Sequence, residues 1–151
     1  MSTRGFIGIV RENGTVDYKY RHYDNYLEGM GIILSRMKTV EEVKDFLNND
    51  ENEKHEPWEE CESKEKFLSM AYEIPEGKEY PIGEEFHYVF DMSDGEWYVA
   101  SHHGKNKSYK LNDLLDDEKE LAPFKEMYVD AYKNEFVERC KNRKSVLDDS
   151  Q

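Results

Sequence analysis

The chain of 151 residues is long enough for one domain of ordinary size, and 34 acidic against 21 basic residues give it a formal net charge of -13. This charge repels free nucleic acid and anionic membrane surfaces, so we expect basic or neutral protein partners and no direct binding to nucleic acid or membrane. Aromatic residues make up 13% of the chain, which predicts a core built largely on rings.

Neither cysteine lies in a metal-binding or disulfide-rich pattern. Cys61 and Cys140 are far apart, and neither has a second cysteine or a histidine at ligand spacing. No secretion signal and no membrane span is recognisable, which favours two free thiols in a reducing cytoplasm. Phosphate-binding glycine loops and nucleophile elbows are missing too, so we predict no cofactor, no metal and no catalytic residue.

Alternating apolar residues predict two β-hairpins. In the first, strands at residues 6–10 and 16–23 flank Asn13-Gly14, a pair typical of a type I′ turn. In the second, strands at residues 86–91 and 97–100 flank a turn that contains Asp94-Gly95. A short edge strand is expected near residues 108–111.

Helical periodicity begins at Leu27, again after a Thr39-Glu42 capping box, and at about residue 117, where one helix is predicted to run to residue 143. A short helix is also indicated near residues 67–72. We therefore predict an α+β fold: an antiparallel sheet of four or five strands from the two hairpins, with about three helices packed on one face. Residues 1–145 are expected to form a single domain, with a frayed tail at 146–151.

The stretch from Asp50 to Lys66 is strongly acidic. Its glutamates are Glu51, Glu53, Glu56, Glu59, Glu60, Glu62 and Glu65. A solvated loop is the simpler interpretation. The alternative is an acidic surface that imitates the phosphate spacing of nucleic acid and binds a basic surface on another protein.

The stretch from Tyr20 to Gly31, YRHYDNYLEGMG, holds the densest mixture of aromatic, charged and glycine residues in the chain. Its glycines imply either an irregular first helical turn or a close approach by another group. His22 and Asp24 are suited to acid–base work or metal binding, but an H-x-D spacing is too short to identify a site. The adjacent pair His102-His103 cannot serve one ion while both residues lie in a strand, because their side chains then point to opposite faces.

A ligand-binding cleft is a further hypothesis, with ordinary core packing as its alternative. Its candidate residues are Arg4, Arg21, His22, Tyr23, Asp24, Tyr26 and Trp97. In this hypothesis an arginine binds a phosphate, a tyrosine stacks on a base, and His22 or Asp24 moves a proton if a reaction occurs.

The N-terminal part of the chain resembles a family of small uncharacterised bacteriophage proteins. That family begins with a Thr-Arg strand and carries a Y-x-H-W-D-G-Y-P-E-G-x-G segment before its first helix, followed later by a Trp-Tyr pair. The matching positions are Thr3, Arg4, Tyr20, His22, Asp24, Tyr26, Glu28, Gly29, Gly31, Trp97 and Tyr98. Tyr23, Asn25 and Leu27 depart from the family pattern, and Asn25 suits a turn that needs positive φ.

This resemblance implies a phage origin and an accessory role in the cytoplasm of an infected bacterium, and it supplies no reaction. The first functional hypothesis is a non-enzymatic phage protein that binds and modulates a host protein through its acidic surface. The alternative is a small-ligand protein, either a nucleotide-binding sponge or a weak hydrolase, that uses the segment from Tyr20 to Gly31. A virion component is a third possibility, which the absence of repeats disfavours.

Overall fold

The computed structural model describes residues 3–51, 53 and 55–143. These residues form an α+β fold with one six-stranded sheet in the order β3-β2-β1-β4-β5-β6. The strands are β1 (Gly5–Val10), β2 (Val16–Arg21), β3 (Trp58–Cys61), β4 (Phe86–Asp91), β5 (Glu96–Ser101) and β6 (Tyr109–Lys110). The tail predicted at residues 146–151 lies outside the described residues.

Six α-helices and one π-helical turn are present among the described residues. The turn spans Leu27–Gly31, and the helices are α1 (Ile32–Ser35), α2 (Val40–Asn49), α3 (Lys64–Ser69), α4 (Leu111–Asp116), α5 (Glu118–Lys125) and α6 (Asp130–Lys141). The prediction of α+β is confirmed, whereas four or five strands and about three helices were too few. The acidic stretch was expected to be a loop and instead contains β3.

Both predicted hairpins are confirmed, but the sheet is not purely antiparallel. β1 pairs antiparallel with β2, and β4 pairs antiparallel with β5. The two hairpins meet through β1 and β4, which run parallel from Gly5 opposite Phe86 to Val10 opposite Asp91. Between β2 and β4 the chain forms helices and the edge strand β3. This long connection allows β4 to run parallel to β1.

The first hairpin turn is not of type I′. Such a turn needs positive φ at both central residues, and here Gly14 alone has it, with φ 89. The amide of Gly14 donates to the carbonyl of Arg11 at 2.9 Å, and the amide of Arg11 donates to the carbonyl of Thr15 at 2.8 Å. This is a type I turn followed by a left-handed glycine.

Helices cover both faces of the sheet, so the prediction of helices on one face was wrong. On one face Ile7, Tyr88 and Trp97 join the larger core cluster with the π-helical turn and most of the helices. On the other face the sheet packs against Phe67 and its neighbours in and after α3. Side chains alternate along a strand, so the central strands β1, β4 and β5 contribute to both layers.

The predicted helix from residue 117 to 143 is interrupted between Lys125 and Asp130. In the gap, the hydroxyl of Tyr128 donates to Glu28 Oε1 at 2.7 Å, which joins this segment to the π-helical turn.

The cap of α2 by Thr39 is confirmed, but the reciprocal bond of the predicted capping box goes to the residue before the cap. Thr39 Oγ1 accepts from the amide of Glu42 at 3.2 Å, and Glu42 Oε1 accepts in return from the amide of Lys38 at 3.3 Å. At the other end, the buried ammonium of Lys19 donates to the carbonyl of Leu47 at 3.1 Å. A cation near a helix C-terminus complements the helix dipole, so β2 fixes α2 against the sheet.

Candidate functional site

Four chain segments converge at one end of the sheet. β1 and β4 begin there, whereas β2 and β5 end there, as their pairing requires. Arg4 precedes β1, His22 follows β2, Glu84 and Glu85 precede β4, and the His102-His103 pair follows β5. Polar side chains that are distant in sequence therefore gather at this end.

A cavity of about 670 Å³ opens at this end of the sheet. Its wall includes Arg4, Glu79, Tyr80, Glu84, Glu85 and His102. Three carboxylates face one guanidinium, so the local field favours a cationic group over an anionic one. This volume is within the range of small-ligand pockets.

Glu84 connects this cavity to His22. Burial raises the pKa of Glu84, and the neighbouring charge of Glu85 acts in the same direction, whereas Arg4 and His22 oppose it. His22 Nδ1 in turn lies 2.6 Å from the hydroxyl of Tyr20. His22 is therefore close enough to Glu84 for their charges to interact.

His87 fixes the loop that carries these glutamates. Its Nε2 accepts from the amide of Glu84 at 2.9 Å, so Nδ1 carries the proton and donates to the carbonyl of Phe67 at 2.7 Å. Burial lowers the pKa of His87 to about 4, which keeps the ring neutral at neutral pH. His87 is thus a structural residue with both nitrogens in use.

Arg21 and Tyr23, two of the predicted ligand-binding residues, lie away from the cavity. Arg21 Nε is 2.8 Å from a carboxylate oxygen of Asp50, and its guanidinium also donates to the carbonyl of Tyr23. Tyr23 is half-exposed, and its ring packs edge-on against that of His22. Arg21 therefore joins β2 to the end of α2.

The residue with positive φ in the segment is Asp24, with φ 61, so the expectation for Asn25 was wrong. Asn25 is fully buried instead, and its side-chain amide donates to the carbonyls of Thr3 and Arg21, each at 2.8 Å. The backbone carbonyl of Asn25 accepts from the hydroxyl of Tyr88 at 2.7 Å. These bonds hold the N-terminal segment against the end of β2.

Tyr26 and Glu28 line a separate cavity of about 330 Å³ together with Tyr128 and Arg139. Burial raises the pKa of Glu28, although the hydrogen bond from Tyr128 lowers it. The ring of Tyr26 lies over Gly29, where a Cβ would stand 2.6 Å from a ring carbon. The irregular first turn predicted from the glycines is confirmed, and the group that approaches Gly29 is a side chain of this chain.

Trp97 belongs to the core. It is 1% exposed, and its indole N–H donates to the carbonyl of Met37 at 3.0 Å. The seven candidate residues therefore do not form one cleft. Arg4 lines the larger cavity, His22 lies near it, and the others hold the fold together, face solvent or line the smaller cavity.

The predicted acidic surface is built around β3. Glu51, Glu59, Glu60, Glu62 and Glu65 are exposed, and Glu56 is half-buried. Glu53 departs from this group, because it is buried and its Oε1 accepts from the amide of His22 at 2.8 Å. We call the exposed glutamates together with Glu56 the acidic patch.

Sequence reasoning missed Glu84 and Glu85, which are central to the larger cavity. Nothing in their local pattern separates them from the many other glutamates of the chain. The only available indication was their position directly before a strand, opposite the His102-His103 pair that follows the next strand.

Comparisons with known proteins give no relative for this chain. No model of a protein family, no curated protein and no solved structure matches it. None of the helices in the described ranges has the length and apolar character needed to cross a membrane.

Proposed function

We propose that the protein binds an extended, basic segment of another protein along the outer edge of β3. The observation that carries this proposal is the position of β3 at the edge of the sheet, where no other described strand pairs with its outer side. Such an edge offers unpaired backbone N–H and C=O groups to an incoming strand.

Charge selects the kind of segment that this edge accepts. Glu59 and Glu60 are both exposed, and as neighbours in a strand they point to opposite faces. A paired strand with lysine or arginine on either face therefore meets a carboxylate across the ladder, whereas a second copy of β3 would meet like charges. Trp58 is 37% exposed and adds apolar contact area.

Existing contacts do not prevent this binding. Glu60 lies 3.4 Å from a guanidinium nitrogen of Arg11, and both side chains are well exposed. An exposed ion pair of this kind is weak, so an incoming cation competes for the carboxylate. The net charge of -13 steers a basic partner toward the protein and makes the association sensitive to salt.

We further propose that the partner is a host protein with a basic surface and that the chain is a phage accessory protein. The acidic patch supports the basic partner, and the sequence resemblance alone supports the phage origin. Binding at the edge of β3 modulates the host protein if the basic segment bound there otherwise binds nucleic acid.

The test uses a synthetic eight-residue peptide of alternating lysine and valine, with a glutamate-valine peptide as its control. Isothermal titration calorimetry at 50 mM NaCl should give binding of the lysine peptide alone, weaker at 300 mM. The double variant Glu59→Gln/Glu60→Gln should bind less tightly than Glu73→Gln/Glu76→Gln, which loses the same charge at exposed positions elsewhere. Equal weakening in both variants would contradict a site at β3.

Backbone pairing is tested with a further lysine-valine peptide that is N-methylated at every amide. Methylation removes all backbone donors and blocks both edges of the peptide strand. This peptide should not bind, because neither of its edges can pair with β3. Binding as tight as that of the unmethylated peptide would exclude strand addition.

A second candidate function is small-ligand binding in the 670 Å³ cavity, favoured by the exposed ring of Tyr80 beside three glutamates. This lining suits a cationic aromatic compound better than the nucleotide expected from the sequence. Ligand-observed NMR with tyramine and with ADP compares a cationic aromatic ligand with a nucleotide. Tyr80→Ala should abolish the binding of tyramine. Binding of ADP without binding of tyramine would contradict the charge argument.

A further inference from the structure

The pairing of β4 with β5 brings Glu85 and His102 face to face. Phe86, the first residue of β4, pairs with Ser101, the last residue of β5. Glu85 and His102 are each one residue beyond this final pair, so they stand on opposite sides of the same ladder end. A carboxylate and an imidazole are thereby close in space although 17 positions separate them.

The turn after β5 brings the second imidazole to the same place. Since the strand has ended at Ser101, alternation no longer sends the two histidine side chains to opposite faces. The amide of Gly104 donates to the carbonyl of Ser101 at 3.2 Å, and the amide of His103 donates to Ser101 Oγ at 3.1 Å. The two imidazole rings lie with their centroids 4.2 Å apart.

Three contacts fix the geometry around this turn. A Cβ at Gly104 would lie 2.5 Å from a ring carbon of Phe124, so the turn packs directly on that ring. The backbone amide of Arg4 donates to Glu85 Oε2 at 2.9 Å and orients the carboxylate. Its other oxygen, Oε1, lies 3.2 Å from His103 Nε2.

We propose that Glu85, His102 and His103 bind one divalent transition-metal ion, with Zn²⁺ as the best match. The donor atoms of the three side chains all lie within 4.8 Å of one another. Within the described ranges no other three histidine, cysteine or acidic side chains are grouped in this way. Two imidazoles and a carboxylate are a ligand set that suits zinc.

Only a small adjustment is needed to bind the ion. Zinc lies about 2.0–2.2 Å from nitrogen and oxygen ligands, so tetrahedral donor atoms stand roughly 3.4 Å apart. The pair Glu85-His103 already meets this separation. The side chain of His102 is exposed, and its donor atom already lies within 4.8 Å of those of the pair.

The hydrogen bond from the Arg4 backbone amide to Glu85 resembles the outer hydrogen bonds of known metal centres, which hold a carboxylate in place. Glu85 and His102 also line the 670 Å³ cavity. A fourth coordination position therefore opens toward space that a small ligand or water can fill. This site is independent of strand binding at β3.

The first test is calorimetric titration of ZnCl₂ into the chelator-treated full chain, with MgCl₂ as the comparison. We expect one zinc ion per chain and no magnesium binding, because a hard cation prefers oxygen ligands. Glu85→Gln keeps the acceptor for the Arg4 amide, and His102→Ala alters an exposed residue, so both variants should fold. Each should weaken zinc binding at least about tenfold.

His55→Ala is the matched control, since His55 is an exposed histidine in a different segment. It should bind zinc as the unmodified chain does. Circular dichroism checks that all variants keep their fold. In parallel, ¹⁵N NMR should show zinc-dependent shifts of the imidazole nitrogens of His102 and His103.

Two results would overturn the proposal. One is zinc affinity that is the same in the unmodified chain, His102→Ala and Glu85→Gln, which would place the ion elsewhere. The other is the absence of zinc binding up to millimolar concentration, in which case Glu85 and His103 form an ion pair only.

Discussion

His87 predicts a specific loss of stability in acid. The ordinary pKa of histidine is about 6.5, and burial lowers that of His87 to about 4 in the folded chain. Between these values the unfolded chain binds a proton that the folded chain does not. Stability therefore falls as pH decreases from about 6.5 to about 4, and it is unaffected by this group above that range.

The size of the effect follows from the difference between the two pKa values. It corresponds to about 3 kcal/mol once the pH is below both. A domain is stable by about 5–15 kcal/mol, so protonation linked to this single ring removes a substantial fraction of the stability. Buried carboxyl groups such as Glu28 also titrate, and their contribution must be removed.

The variant His87→Gln isolates the histidine. Glutamine has one acceptor and one donor for the amide of Glu84 and the carbonyl of Phe67, but it does not titrate. Urea unfolding at several pH values between 7.5 and 4 gives the difference in unfolding free energy between the two proteins. We expect this difference to change by about 3 kcal/mol in favour of the variant as pH falls. A constant difference would refute the assignment of a buried, neutral His87.

Three further substitutions test the packing and the caps. Thr39→Ala should lower the unfolding free energy by about 1 kcal/mol through the loss of the helix cap, whereas Thr39→Ser should retain most of it. Gly104→Ala should cost about 1–3 kcal/mol in the same urea assay, because the new methyl group overlaps Phe124; an unchanged midpoint would contradict that contact. Glu28→Gln keeps an acceptor for Tyr128 and removes the buried charge. The parent chain loses stability as pH rises through the raised pKa of Glu28, and the variant should not show this loss. A pH profile that matches the parent chain would show that Glu28 is not responsible.

Local patterns were sufficient for the hairpins and for the start of α2. Alternation on both sides of Asn13-Gly14 located the first hairpin, and Thr39 located the helix start. The same patterns carried no information on the parallel pairing of β1 with β4, which depends on contacts about 80 residues apart. Trp58 to Cys61 has two glutamates among four residues, and it is a strand because β2 pairs with it.

The candidate site was harder to predict than the fold. The segment from Tyr20 to Gly31 was singled out for its residue types, yet Asn25 and Gly29 serve packing and chain connection. For His102 and His103, the expectation rested on where the strand ends, and that boundary determines whether two neighbouring side chains reach the same point. A boundary one residue later would separate them.

Hydrogen exchange along β3 is the most direct test of the proposed strand addition. Mass spectrometry or NMR follows the amides of Trp58–Cys61 with and without the lysine-valine peptide. We predict slower exchange of the outward-facing amides in β3 and no change in β6, the strand at the opposite edge of the sheet. Unchanged exchange in β3 at saturating peptide, or protection in β6 instead, would contradict the proposal.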